Sequence, residues 1–114
     1  MRFLILILLA SLATPHALAK TREFNAVTLD LGGTKVWLPS TFVVNKGDTV
    51  KINLSTKVPA PWNVHGFAIE AFKIVESVDE NGKSITFKAS TAGIFPFRCH
   101  LHPAHIGGQL VVLR

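Results

Sequence analysis

At 114 residues, with a formal net charge of +5 and a single cysteine, the chain has the length of one domain and cannot close an internal disulfide. Its basic residues are scattered, at Lys35, Lys46, Lys51, Lys57, Lys73, Lys83 and Lys88, with no cluster or aromatic interleaving, which argues against a nucleic-acid interface. A mildly positive surface of this kind is ordinary solubility charge and also suits an acidic redox partner.

The first element is a leader. Met1-Arg2 is followed by the apolar run Phe3 to Leu12 and by Ala17-Leu18-Ala19 before Lys20. A positive start, an apolar stretch too short to span a bilayer and an Ala-x-Ala site predict a secretory signal peptide over residues 1–19. Residues 20–114 then form a single domain, periplasmic or otherwise exported, with no stable membrane insertion after cleavage. In an oxidising compartment a lone thiol is a liability unless it is buried or ligated.

The remaining chain alternates as strands do. Phe24 to Leu31 is a first strand ended by Gly32-Gly33, and Lys35 to Leu38 is a short extended piece closed by Pro39-Ser40. Phe42 to Leu54 carries two β-branched runs around a Lys46-Gly47-Asp48 turn, with Val50, Ile52 and Leu54 alternating against Thr49, Lys51 and Asn53. Pro59 and Pro61 make Lys57 to Trp62 a loop. Asn63 to Phe72 and Lys73 to Val78 are extended, and Asn81-Gly82 is the favoured hairpin dipeptide. Ser84 to Ala89, Ile94 to Cys99 and Gln109 to Leu113 complete the set. No amphipathic helix or repeat is found in residues 20–114. The pattern predicts an all-β fold, a sandwich or small barrel of seven to eight strands.

The chemistry is concentrated in Phe95-Pro96-Phe97-Arg98-Cys99-His100-Leu101-His102-Pro103-Ala104-His105, which holds the only cysteine and three of the five histidines. Residues two apart share a strand face, so Phe95, Phe97 and Cys99 point one way and the sulfur is delivered inward. The loop that follows can return His102 and His105 towards it, and His65 comes from another strand. One thiolate with imidazoles suits copper or zinc. The candidate metal ligands are therefore His65, Cys99, His102 and His105, with water as the alternative to His105 and a structural role beside Trp62 as the alternative for His65. His100, adjacent to Cys99, is expected to face solvent, and Glu70 to be a solvated strand residue.

These motifs resemble the cupredoxin family. The resemblance rests on Lys46-Gly47-Asp48-Thr49-Val50-Lys51-Ile52, on His65-Gly66-Phe67, on Ala92-Gly93-Ile94-Phe95-Pro96-Phe97-Arg98-Cys99 and on His102-Pro103. It implies a Greek-key β-sandwich with one mononuclear copper at one end, bound by His65, Cys99 and His102. Short-loop members resembling amicyanin place a methionine where His105 stands here, and the only methionine is Met1. An axial imidazole there would lower the potential and give a less blue centre. Plastocyanin-like members carry their first histidine in Pro-His-Asn-Val, whereas this chain reads Pro61-Trp62-Asn63-Val64-His65. His-Gly-Phe is also similar to binuclear copper domains, which a single cysteine excludes. A partial likeness to nitrosocyanin covers Gly66 to Phe72 and Cys99, Leu101, His102 and Pro103. On that alignment His65 takes the place of its acidic ligand, and its second loop histidine falls near Gly107.

The expected function is one-electron transfer with a redox partner protein. The alternatives are copper sequestration or delivery to a copper-handling protein, and a small nitrosocyanin-like enzyme. No acid–base pairing supports the last, so an enzyme is not expected.

Overall fold

A computed structural model of the protein describes residues 18–114; the predicted signal peptide falls almost wholly on residues 1–17, outside them. Nine strands are found among the described residues: β1 Thr21–Leu31, β2 Thr34–Leu38, β3 Thr41–Asn45, β4 Thr49–Thr56, β5 His65–Ile69, β6 Ile74–Val78, β7 Lys83–Lys88, β8 Gly93–Phe97 and β9 Gly108–Leu113. The fold is all-β, as expected, with one strand more than the upper expectation. No helix among the described residues is long and apolar enough to cross a membrane.

One sheet runs β2-β1-β4-β7 and the other β3-β9-β8, with β5-β6 as a separate antiparallel pair. β1 lies parallel to β4 and β3 parallel to β9; the other ladders are antiparallel. Ala68 and Arg98 exchange backbone hydrogen bonds of 2.8 and 3.0 Å, and this single bridge fastens β5 to the chain leaving β8. Val36 and Ile106 form a second bridge, which ties β2 to the loop between β8 and β9.

The alternation seen in the sequence becomes the two-layer core. Val50, Ile52 and Leu54 of β4 and Ile85 of β7 face Phe42, Val44, Leu110 and Val112 of the opposite sheet. Aromatic rings carry this core up to the ligand-bearing end: Phe24 meets Phe42 at 5.2 Å, Phe42 meets Phe97 at 5.5 Å, and Phe97 stacks on Phe67 at 4.9 Å. Phe67 and Phe97 stand two residues from His65 and Cys99, so the same strand faces that bury them turn both candidate ligands inward.

At the opposite side of the molecule Asp48 is buried rather than solvated in its turn. Its carboxylate accepts hydrogen bonds from the backbone N–H groups of Lys20 and Asn45, both at 2.9 Å, and from Arg22 Nε at 3.3 Å. The Lys20 and Asn45 amides, with Arg22, hold its pKa below the ordinary 3.8. A depressed folded-state pKa contributes stability that is present above 3.8 and lost as pH falls through the folded value. Asp48→Asn is expected to lower the melting temperature at neutral pH and to flatten the loss of stability on acidification. A melting series with falling pH on both proteins checks this.

Candidate metal centre

His65, Cys99, His102 and His105 each offer one donor atom, and these four atoms all lie within 4.8 Å of one another. The fold brings them together from two directions. His65 opens β5, and Cys99 follows β8 directly after the Ala68–Arg98 bridge. Two successive turns then set the loop: the His102 N–H bonds the Cys99 carbonyl at 3.4 Å and the His105 N–H bonds the His102 carbonyl at 3.0 Å. A three-residue turn repeated once returns positions 99, 102 and 105 to the same side. Backbone bonds from the Ile106 N–H to Lys35 and from the Trp37 N–H to Ile106, at 2.9 and 3.2 Å, hold the loop end against β2.

Within the cluster, Nδ1 of His65 and Nδ1 of His105 are 3.2 Å apart, and Nδ1 of His102 lies 3.5 Å from Cys99 Sγ. The ring centroids of His102 and His105 are separated by 4.4 Å and those of His65 and His105 by 4.8 Å. Cys99 and His65 are each only 1 % exposed, while His102 is exposed and His105 half-buried. The Gly66 N–H donates to Cys99 Sγ at 3.0 Å.

Burial lowers the His65 pKa from the ordinary 6.5, and nearby His102 and Lys35 lower it further. The Trp62 backbone opposes this shift without meeting hydrogen-bond geometry, and Nε2 of His65 is buried with no partner. Burial, with the charges of His102, His65 and Lys35, lowers His105 to about 4. Neutral imidazoles keep the lone pair that a metal needs. The Cys99 sulfur and the three imidazole nitrogens, all within 4.8 Å of one another, form a donor set that fits copper or zinc.

Above the cluster opens a cavity of about 490 Å³, lined by the three histidines and by Lys35, Pro61, Trp62, Val64 and Leu101. Trp62, 72 % exposed, stands on its rim and is no part of the core. Two expectations are corrected. His100 is half-buried rather than solvent-facing: its ring lies against Gly66, and its Nδ1 is buried without a partner. Glu70 is solvated as expected but lies in a one-turn 3-10 helix, Glu70–Phe72, instead of a strand, and pairs with Arg98; Lys73, in the left-handed conformation at φ 57°, ends that helix before β6.

The model of the family described as the cupredoxin-like domain matches residues 2–112. No curated protein sequence matches the chain. Among solved structures, a copper binding protein in the apo form is 20 % identical, with a TM-score of 0.59, over 81 % of this chain and 87 % of that one. Auracyanin A from Chloroflexus aurantiacus, a blue copper protein, is 16 % identical with a TM-score of 0.61, over 81 % and 98 %. A copper nitrite reductase from Nitrosomonas europaea is 19 % identical with a TM-score of 0.64; 82 % of this chain is covered but only 41 % of the reductase. At these identities the likeness is one of fold.

An imidazole whose pKa falls on folding costs stability as pH drops, because the unfolded chain binds the proton first. The metal-free protein is expected to hold its stability above 6.5 and to lose it progressively between 6.5 and about 4. His105→Gln is expected to remove part of that slope. Denaturant unfolding across this interval checks both.

Proposed function

Because this chain belongs to the cupredoxin-like domain family, we propose that it is an exported copper protein that passes single electrons and is not itself an enzyme. The observation that carries this reading is the convergence of one sulfur and three imidazole nitrogens within 4.8 Å at one end of the sandwich. One copper ion per chain, held by His65, Cys99, His102 and His105, would supply a one-electron couple.

The chain's own residues fit that task. Cys99 provides a soft sulfur donor, held in place by the Gly66 N–H and shielded from oxidants by burial. His65 is fixed at the start of β5 and stays neutral in its buried position, so it needs no deprotonation before binding. His102 is exposed, which makes its ring the route between the centre and a redox partner at the surface. His105 stands where a weaker thioether would leave the potential higher; its nitrogen favours the oxidised metal. A donor set fastened by two bridges and two turns changes little between oxidation states, which favours rapid transfer. Export follows from the leader-like residues 1–19.

A second reading is copper sequestration or delivery to a copper-handling protein, favoured by the third imidazole, since added nitrogen donors raise copper(II) affinity. The two separate on redox cycling. Copper(II) added to the mature protein is expected to give an intense thiolate-to-copper visible band that bleaches on reduction and returns on reoxidation with the metal retained. Cys99→Ser is expected to abolish the band. A band that survives this substitution would contradict the ligand set, and copper lost on reduction would favour sequestration.

A further inference from the structure

Trp37 is a large side chain, 1 % exposed, whose indole N–H must find a partner inside the protein. It finds the Gly66 carbonyl, at 3.0 Å. Gly66 is also the residue whose N–H reaches Cys99 Sγ at 3.0 Å. Its third side is closed by His100: a Cβ on Gly66 would lie 2.5 Å from His100 Nδ1 and 2.9 Å from the His100 backbone nitrogen. Gly66 is thus held at its carbonyl by Trp37, at its Cα by His100 and at its amide by the sulfur. Trp37 is itself anchored, edge-on to Phe67 at 5.3 Å and by its backbone bond to Ile106.

From this arrangement we infer that Trp37 is a positioning residue for the metal centre, acting through Gly66 to aim one N–H at the Cys99 sulfur. A hydrogen bond to a thiolate draws electron density from it and weakens its donation to a bound metal. With the indole N–H removed, the Gly66 carbonyl loses its partner, Gly66 gains freedom about its own φ and ψ, and its N–H, which belongs to the preceding peptide group, can tilt away from the sulfur. The sulfur becomes the stronger donor and the oxidised metal is favoured. The electronic half of this inference rests on the copper reading; the backbone half does not.

The test uses Trp37→Phe, which keeps an aromatic ring and removes the donor. In the metal-free protein, Gly66 amide hydrogen exchange is expected to speed up by about fivefold or more, the loss of one net hydrogen bond. Ala68, two residues along the same strand and bonded to the Arg98 carbonyl at 2.8 Å, serves as the internal reference and is expected to change less. In the copper-loaded protein the thiolate band is expected to move to lower energy and the reduction potential to fall. Exchange at Gly66 rising no more than at Ala68, or an unmoved band and potential, would overturn the inference. Should Trp37→Phe fail to fold, replacing the tryptophan indole by benzothiophene in a Trp62→Phe protein removes the same N–H at unchanged shape, and the same two readouts apply. If the parent protein gives no thiolate band, the copper reading fails while the exchange comparison still decides whether Trp37 positions Gly66.

Discussion

The reciprocal backbone bonds between Ala68 and Arg98 are the contact on which this end of the molecule depends. They are the only ladder bonds joining the β5–β6 pair to the chain leaving β8. His65 lies three residues before one partner and Cys99 one residue after the other, so the bridge sets the distance between them. The stacked rings of Phe67 and Phe97, 4.9 Å apart on the neighbouring strands, oppose sliding of one strand past the other. A slip of one residue would turn either candidate ligand out of the centre. The Arg98 side chain adds an ion pair with Glu70 at the surface, a minor contribution beside the backbone bridge.

The loop from Cys99 to Gly108 is held by different means. Its two turns are local, but its far end is fastened to β2 through Ile106, and β2 belongs to the other sheet. The centre is thereby assembled from both layers of the sandwich: β5 and the end of β8 provide the buried pair, and the β2-anchored loop provides the two outer histidines. The cavity above it brings exposed Trp62, Val64 and Leu101 beside the exposed His102. Under the proposed electron-transfer role, this apolar rim around one accessible imidazole would be the surface on which a redox partner seats.

Much of this was legible in the residues, and what was not has a common cause. Strand faces followed from period-two alternation at Val50, Ile52 and Leu54, and the end of β1 from Gly32-Gly33, because these are local preferences; Asn81-Gly82 makes a turn but not the expected hairpin, since β6 pairs with β5 and β7 with β4 in the other sheet. The clustering of positions 99, 102 and 105 was legible for the same reason: a three-residue spacing matches a tight turn. Contacts between distant segments were not legible. His100 reads as solvent-facing, yet its ring lies against Gly66 of β5, where any Cβ would collide with it. Asp48 reads as a turn residue until the amide of Lys20, 28 positions away, is found on its carboxylate. Trp37 reads as one more apolar residue of a short strand; the signal lay in its indole N–H, which a buried position obliges to find an acceptor.

One copper ion held by sulfur and imidazole together is the feature on which the proposed role depends. X-ray absorption at the copper edge of the mature protein, loaded with one equivalent of copper(II), tests this directly. A single short copper–sulfur shell together with imidazole nitrogen scattering is expected, saturating at one copper per chain. A spectrum with nitrogen and oxygen scatterers alone, and no sulfur, would contradict it.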